Sequence, residues 1–334
     1  MNVSGPTVSV CIPTYNSARY LPQTVESVLR QDWQDYEVVI CDDASTDSTS
    51  DVCRRIGDSR VRYVRFDQRG GAGRSWNRCL AEARGVYVVL LHADDLLAPR
   101  FLNRAVKVLK DHPDVGLVHC SVQHIDDAGS PLYMQCLHAE DRTGPGEELV
   151  RRLLLEGCVV NPAGVMVRRQ AYEQAGRFAE HIVWGIDWHM WLRIALEWPV
   201  AYLAEPLALY RQHPAGDTSS VMSTARNGRD EEWLIKDIFR RVETSRPGLL
   251  ALRPQAMRQV AHRTWCFAEE MCRHGLGRSA RRGLRKSVSI WPAMIVEGRT
   301  WTLWAATYLG YGWFLWFQAW KRWLGDAMLH SSRR

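Results

Sequence analysis

The stretch VVICDDASTDST, residues 38–49, runs from three apolar residues and a cysteine straight into two adjacent carboxylates, Asp42 and Asp43. A strand built for burial that ends in like charges needs partners for them, because an ionised group leaves water at a cost. The flanks supply the context. Upstream, TVSVCIP (7–13) is a short apolar strand ended by Pro13, and YLPQTVESVLRQ (20–31) carries Leu21, Val25, Val28 and Leu29 at helical spacing. Downstream, STDSTSDVCRRI (45–56) opens on cap-type residues and reads as a helix, and RVRYVRF (60–66) alternates as a strand. GRSWNRCLAEA (73–83) reads as a helix and GVYVVLLHADD (85–95) as a fourth strand. Strands and helices in strict alternation predict an α/β fold with a mostly parallel sheet and flanking helices. A fifth strand is expected at VGLVHCSVQHI (115–125).

The rhythm then breaks. Residues 126–160 read as loop and one helix, GVMVRRQAYEQAG (164–176) as strand then helix, DWHMWLRIALE (187–197) as a helix, and VAYLAEPLALYRQH (200–213) as extended. PAGDTSSVMSTARNG (214–228) has linker composition, so the chain divides into a globular domain, 1–225, and a helical region, 226–334. Charge divides the same way: the first part has 23 basic and 28 acidic residues, the second 20 and 9, within a total of +6. That split predicts a near-neutral globule and a basic appendage suited to an anionic surface. The nine cysteines form no C-x-x-C pair, Cys11 and Cys41 sit in apolar runs, and the first residues lack the pattern of a secretory signal. Reduced thiols in a cytosolic setting are the expectation.

Ligands of open parallel sheets bind beyond the carboxyl ends of the strands. The first strand ends in PTYN, the second in DDAST and the fourth in HADD, so three polar clusters converge on one edge. A divalent cation is the natural counter-charge for Asp94 and Asp95, since hard cations take carboxylate oxygens. Asp42 is placed to accept a hydrogen bond from a base or a sugar. An aspartate after a strand is also an ordinary turn former or helix cap, a reading that Asp47 and Asp95 fit as well. GGAG (70–73) lacks the lysine of a phosphate loop and reads as flexibility before a helix.

VSVCIPTYNSARYLPQTVESVLRQDWQDYEVVICDDASTDST (8–49) resembles the opening of family 2 glycosyltransferases of the GT-A fold, a Rossmann-like, mostly parallel sheet with flanking helices. GVYVVLLHADDLLAP (85–99) resembles their metal-binding D-x-D segment, GIDWHMWLRIA (185–195) their catalytic helix, and YRQHPAGDTSS (210–220) the segment after it. The resemblance covers about two thirds of the chain. It implies that Pro13, Thr14, Tyr15, Asp42 and Asp43 form the nucleotide pocket, with Asp42 accepting from the base. It implies that Asp94, with His92, holds Mn²⁺ or Mg²⁺, that Asp187 is the general base, and that Arg211 and His213 approach the leaving diphosphate. Trp184 and Trp188 are candidates for stacking on a sugar or acceptor, with core packing as the alternative, and Trp191 is expected in the core. Three positions depart from the family pattern: His92 replaces the first D-x-D carboxylate, SWN (75–77) replaces Ala-Arg-Asn, and Ile186 replaces a glutamate.

The chemistry asks for little more. Nucleotide departure builds negative charge that a divalent ion stabilises. One base and no protein nucleophile mean direct displacement with inversion. Asp187 starts a helix, where the macrodipole favours its ionised form, although the same position suits a cap. His119, His124 and His138 receive no role. The second region holds nine of the fifteen tryptophans, and TWTLWAATYLGYGWFLWFQAW (300–320) has no charged residue. As one helix of 21 residues it would be about 30 Å long, nominally a bilayer span. Its glycines, threonines and central aromatics fit a helix lying at the membrane surface better than one crossing it, with soluble packing as a further reading. Nucleic acid is not an expected partner. The sequence therefore predicts an inverting, metal-dependent transferase acting from a UDP- or dTDP-sugar on a saccharide or lipid-linked acceptor. Its expected place is the cytoplasmic face of the plasma membrane, in cell-surface polysaccharide synthesis. The rivals are a non-catalytic sugar-nucleotide-binding protein and a sugar nucleotidyltransferase; the second should carry a glycine-rich, basic loop where this chain has PTYNSARY (13–20).

Overall fold

The structure, a computed structural model, describes residues 5–213, 226–296, 298–313, 315–317 and 319. The chain forms two compact units, Met1–Pro214 and Ala215–Arg334, divided within the linker-like stretch.

The first unit opens with the expected alternation: β1 (Val8–Thr14), α1 (Leu21–Leu29), β2 (Tyr36–Asp42), α2 (Thr49–Arg54), β3 (Val61–Arg65), α3 (Ala72–Glu82) and β4 (Tyr87–Leu90). These four strands pair in parallel. Both faces are covered: Val8, Val10 and Ile12 of β1 join Leu21, Val25 and Val28 of α1 in the main core, while the thiol of Cys11, on the other face, reaches the Cys79 carbonyl of α3 at 3.4 Å. Burial pushes the Cys11 and Cys79 thiols well up, so both are inert packing groups.

The rest runs β5 (Leu96–Leu97), α4 (Phe101–Asp111), β6 (Leu117–Ile125), β7 (Pro131–Gln135), β8 (Arg142–Gly144), α5 (Gly146–Glu156), β9 (Val165–Arg168), α6 (Arg169–Ala175), α7 (Ile186–Glu197) and β10 (Val200–Arg211). The sheet order is β3-β2-β1-β4-β9-β6-β10-β5, with β7 on β6 and β8 on β10. The sheet is thus mixed rather than mostly parallel. β9 lies between β4 and β6 and runs antiparallel to both, while β6 and β10 are parallel. Val165, Met166 and Val167 of β9 are all buried, so no polar face marks the strand's direction in the sequence. β7 and β8, within 126–160, are short and largely exposed, which is why their pattern reads as loop. α7 is fixed against α5 at Gly146, where a Cβ would lie 2.1 Å from the Ala195 carbonyl oxygen.

The second unit is helical: α8 (Asn227–Val242), α9 (Pro247–Leu250), α10 (Arg253–Arg273), α11 (Gly277–Ile290), a 3-10 turn at Pro292–Val296 and α12 (Gly298–Leu309). Leu234, Ile238 and Phe239 of α8 share its core with Val260, Trp265 and Ala268 of α10 and Leu284 of α11. Arg263 bonds Glu231 across α8 and α10 (Nε to Oε1 2.6 Å), and burial still pushes the Glu231 carboxyl up to about 7. The uncharged run 300–320 is not one helix. α12 stops at Leu309, and Gly310 takes φ +93°, the left-handed turn that ends helices. Among the described residues no helix is long and apolar enough to cross a membrane.

Candidate active site

The loops after β1 and β2 brace one another at the carboxyl edge of the sheet. Asn16 and Ala44 hold positive φ (50° and 64°), a strained conformation for residues with a side chain. The Asn16 amide donates to Ser45 Oγ (2.9 Å), the Ser17 amide to Thr49 Oγ1 (3.0 Å), and the Thr46 amide to Asn16 Oδ1 (2.8 Å). Thr14 is buried, whereas Pro13 and Tyr15 are half-buried, and the Arg69 guanidinium covers the Tyr15 ring at 3.9 Å.

This frame accounts for the paired charges at the end of β2. Asp42 Oδ1 accepts from the Ser45 amide (2.8 Å), and its Oδ2 accepts from the Tyr63 hydroxyl (2.6 Å) and Arg65 (3.1 Å). Asp43 accepts from the amides of Gly70 and Gly71 (2.9 Å each) and from Arg78 (2.7 Å). Each buried carboxylate therefore has its own arginine and its own backbone donor, and Asp43 ties down the GGAG loop ahead of α3.

The end of β4 is different. Strand pairing stops at Leu90, and HADD (92–95) is a turn that brings one donor atom each of His92, Asp94 and Asp95 within 4.8 Å of one another. His213 Nε2 lies 2.9 Å from Asp94 Oδ2. Burial works to raise the Asp94 carboxyl, but the His213 hydrogen bond and the two imidazoles hold it below its ordinary value. Asp95 is fully buried: burial and then the Asp94 charge push it well up, against the Arg211 amide, which donates to its Oδ1 at 2.9 Å. Among the described residues Asp95 Oδ2 and His92 Nε2 are buried without a hydrogen-bond partner, and His92 Nδ1 stands 3.7 Å from that oxygen. Such orphaned acceptors mark a place for a missing partner. Two carboxylates and an imidazole are a donor set for a divalent cation. Asp95, which the sequence offers both as a cation partner of Asp94 and as an ordinary turn former, belongs to this donor cluster.

Arg211 is turned inward. Its guanidinium bonds the Asp94 carbonyl (2.9 Å), the Asp126 and Asp127 carbonyls (3.3 and 3.2 Å) and Gln23 (2.9 Å). It braces the HADD turn against the loop after β6. His213, two residues on, is the member of that pair with its ring at the cluster.

Asp187 lies in the first turn of α7, but Gly185, at φ +71°, holds the N-cap position, and no side chain caps the helix. The cap reading of Asp187 is therefore set aside. Burial raises its carboxyl, with the Trp188 amide and the His92 imidazole opposing. The exposed Cys158, to which the sequence pointed in no way, has its Sγ 4.0 Å from Asp187 Oδ2. Trp188 is 2 % exposed and Trp191 equally buried, so both are core residues, whereas Trp184 is half-buried.

Comparison with known proteins places this site in context. The family profile described as Glycosyl transferase family 2 matches residues 9–176, half of the chain. An uncharacterised protein of Mycobacterium tuberculosis is 32 % identical over 251 residues, covering 71 % of this chain and 78 % of its own. An uncharacterised glycosyltransferase of Nostoc is 32 % identical over 234 residues, covering 65 % of this chain and 68 % of its own. Among solved structures, TarS of S. aureus in complex with UDP-GlcNAc superposes with a TM-score of 0.56 at 17 % identity, covering 91 % of this chain and 92 % of its own. A mannosyltransferase from Pyrobaculum calidifontis in complex with GDP-Man and Mn²⁺ gives 0.54 at 20 % identity, covering 93 % and 85 %. The fold is therefore of the GT-A kind. With its family match spanning the three polar strand ends, the chain belongs to glycosyl transferase family 2.

Proposed function

We propose that this glycosyltransferase works with inversion, moving a sugar from a UDP- or dTDP-linked donor to a hydroxyl of a saccharide or lipid-linked acceptor. The observation that carries the reading is Asp187: a first-turn carboxylate that does not hold the N-cap position, raised by burial, and close enough to the donor cluster to feel the His92 imidazole. A general base works best when its pKa is shifted toward the operating pH. Asp187 would take the proton of the attacking hydroxyl, and the half-exposed Trp184 would offer an apolar face to the sugar beside it.

Mn²⁺ or Mg²⁺ fits the donor set of His92, Asp94 and Asp95, whose unpartnered Nε2 and Oδ2 atoms favour such a guest. When bound, it would act as a Lewis acid for the negative charge of the departing diphosphate. Asp94 would supply the main ligand oxygen, and His213 would orient that carboxylate. Pro13, Thr14 and Tyr15 would line the nucleotide pocket above the braced loops. Asp42 would offer its carboxylate to the base, and Asp43 would fix the loop that closes the pocket. TarS in complex with UDP-GlcNAc and the mannosyltransferase with GDP-Man and Mn²⁺ support a nucleotide-sugar donor and a divalent ion. The basic second unit supports peripheral attachment at the inner face of the plasma membrane, in cell-surface polysaccharide synthesis.

The test is incubation of the purified protein with a panel of nucleotide sugars, with and without Mn²⁺ and Mg²⁺. Metal-dependent release of UDP or dTDP, and a product of opposite anomeric configuration by NMR, are expected. Retained configuration would remove the single-base mechanism. Tight nucleotide-sugar binding without turnover across acceptors would favour a binding protein instead.

A further inference from the structure

The second unit carries an apolar pocket of about 240 Å³ lined by Arg285, Val288, Ile295, Thr300, Trp301 and Trp304. An apolar cavity of about 150 Å³ already holds a benzene ring, so this one has room for a stretch of hydrocarbon chain. Thr300 Oγ1 lies in its wall, 3 % exposed and without a hydrogen-bond partner among the described residues. The rim is unusually apolar for a surface: Val296 is 81 % exposed, Trp301 59 % and, further along α12, Tyr308 67 %. Arginines frame it. Arg281 lies over the Tyr308 ring at 4.2 Å, Arg285 over Trp304 at 5.9 Å and Arg299 over Trp265 at 5.4 Å. None of the three makes an ion pair among the described residues.

Exposed tryptophan and tyrosine beside arginines that make no ion pair among the described residues is the chemistry of the headgroup region of a bilayer, where rings sit half in hydrocarbon and cations meet phosphate. Charge decides between occupants. A second copy of this chain would bring the same cationic face against itself, and nucleic acid has no use for an apolar pocket. We propose that this pocket and its rim form an anionic phospholipid site, with one acyl chain in the pocket, the lipid phosphate on Arg285, and Trp301 and Val296 sunk into the interface. The proposal rests on the membrane reading above and is independent of the sugar chemistry.

The full-length protein is floated with vesicles of dioleoylphosphatidylglycerol and, separately, of dioleoylphosphatidylcholine. Binding to the anionic vesicles is expected, with bromine-labelled acyl chains quenching the tryptophan fluorescence. Arg285→Gln should weaken it about fivefold, the worth of one cation near an anionic surface, and should blunt its loss at high salt. Trp301→Ser should weaken it about tenfold and reduce the quenching; the ring is already exposed, so folding, checked by circular dichroism, should be unchanged. No flotation with either vesicle overturns both this site and the membrane reading. Strong flotation unchanged by either substitution keeps the membrane reading and overturns the site. A dimer in light scattering that Trp301→Ser dissolves would assign the face to a second copy and overturn the lipid.

Discussion

At the end of β2, Asp42 and Asp43 meet the amide of Ser45, the hydroxyl of Tyr63, the amides of Gly70 and Gly71, and the guanidinium groups of Arg65 and Arg78. At the end of β4, Asp94 and Asp95 share His92, His213 and the Arg211 amide, and one buried oxygen of Asp95 is left over among the described residues. Both pairs look alike in sequence, a buried strand followed by two carboxylates. They differ in supply. The partners of the first pair all come from the next few dozen residues, and the local chain satisfies it outright. Those of the second come largely from the far end of the unit and stop short. The first pair is held by its own loops, whereas the second keeps a buried oxygen unpartnered among the described residues.

The largest expected effect is at the unsatisfied pair. Asp94→Asn should cost at least about 10³-fold in transfer rate, since Lewis-acid stabilisation is worth several kcal/mol and each 1.36 kcal/mol is tenfold. The melting temperature should barely fall. Near-normal transfer by Asp94→Asn, measured with saturating Mn²⁺, would break the distinction between the two pairs.

Next comes Asp187→Asn, with a loss of at least about 10²-fold in rate. Fold and nucleotide affinity, followed by melting and calorimetry, should persist, because Gly185 and not Asp187 occupies the N-cap. The pH profile sharpens the point. A base acts once deprotonated, so the rate rises with pH through the Asp187 pKa. Burial raises that pKa, which puts the acid limb at higher pH than for an exposed aspartate. The variant's residual rate should lack this limb, and a limb that survives would place the base elsewhere.

Much of this was legible beforehand, for reasons that also explain what was not. The first half of the sheet reads directly from sequence because its strands alternate with helices and end in turn and cap residues. The direction of β9 does not, since a strand buried on all faces shows no pattern. His92, Asp94 and Asp187 stand out by motif. The inward turn of Arg211 and the burial of Trp188 do not, because both depend on side chains brought from distant elements. The break at Gly310 was signalled by the glycine itself, but a run of 21 uncharged residues outweighs one glycine in a reading by composition.

The satisfied pair should respond in stability. Asp43→Asn removes a charged acceptor from Arg78 and two amides, and should cost about 2–3 kcal/mol in denaturant unfolding without altering metal dependence. Asp42→Asn should cost a similar amount and in addition weaken UDP or dTDP binding, if its carboxylate serves the base as proposed. Unchanged nucleotide affinity in calorimetry would make Asp42 a loop brace like its neighbour.

The smallest effect, and the finest test of the comparison, is at His92. Its Nε2 is buried and unpartnered among the described residues, and its ring packs on Trp76 with centroids 5.1 Å apart. His92→Asp would give the cluster three carboxylates. Oxygen ligands suit Mg²⁺, whereas imidazole favours softer ions. The ratio of Mg²⁺- to Mn²⁺-supported transfer should therefore rise severalfold. Three like charges also repel until a cation separates them, so added Mg²⁺ should raise the melting temperature of the variant more than that of the wild type. His92→Asn is the control, because it loses the Trp76 packing equally but adds no charge. If all three proteins show the same metal preference and the same metal-induced shift in melting, His92 is no ligand. The cluster then reduces to Asp94 and Asp95, and what separates the two aspartate pairs is the missing arginine alone.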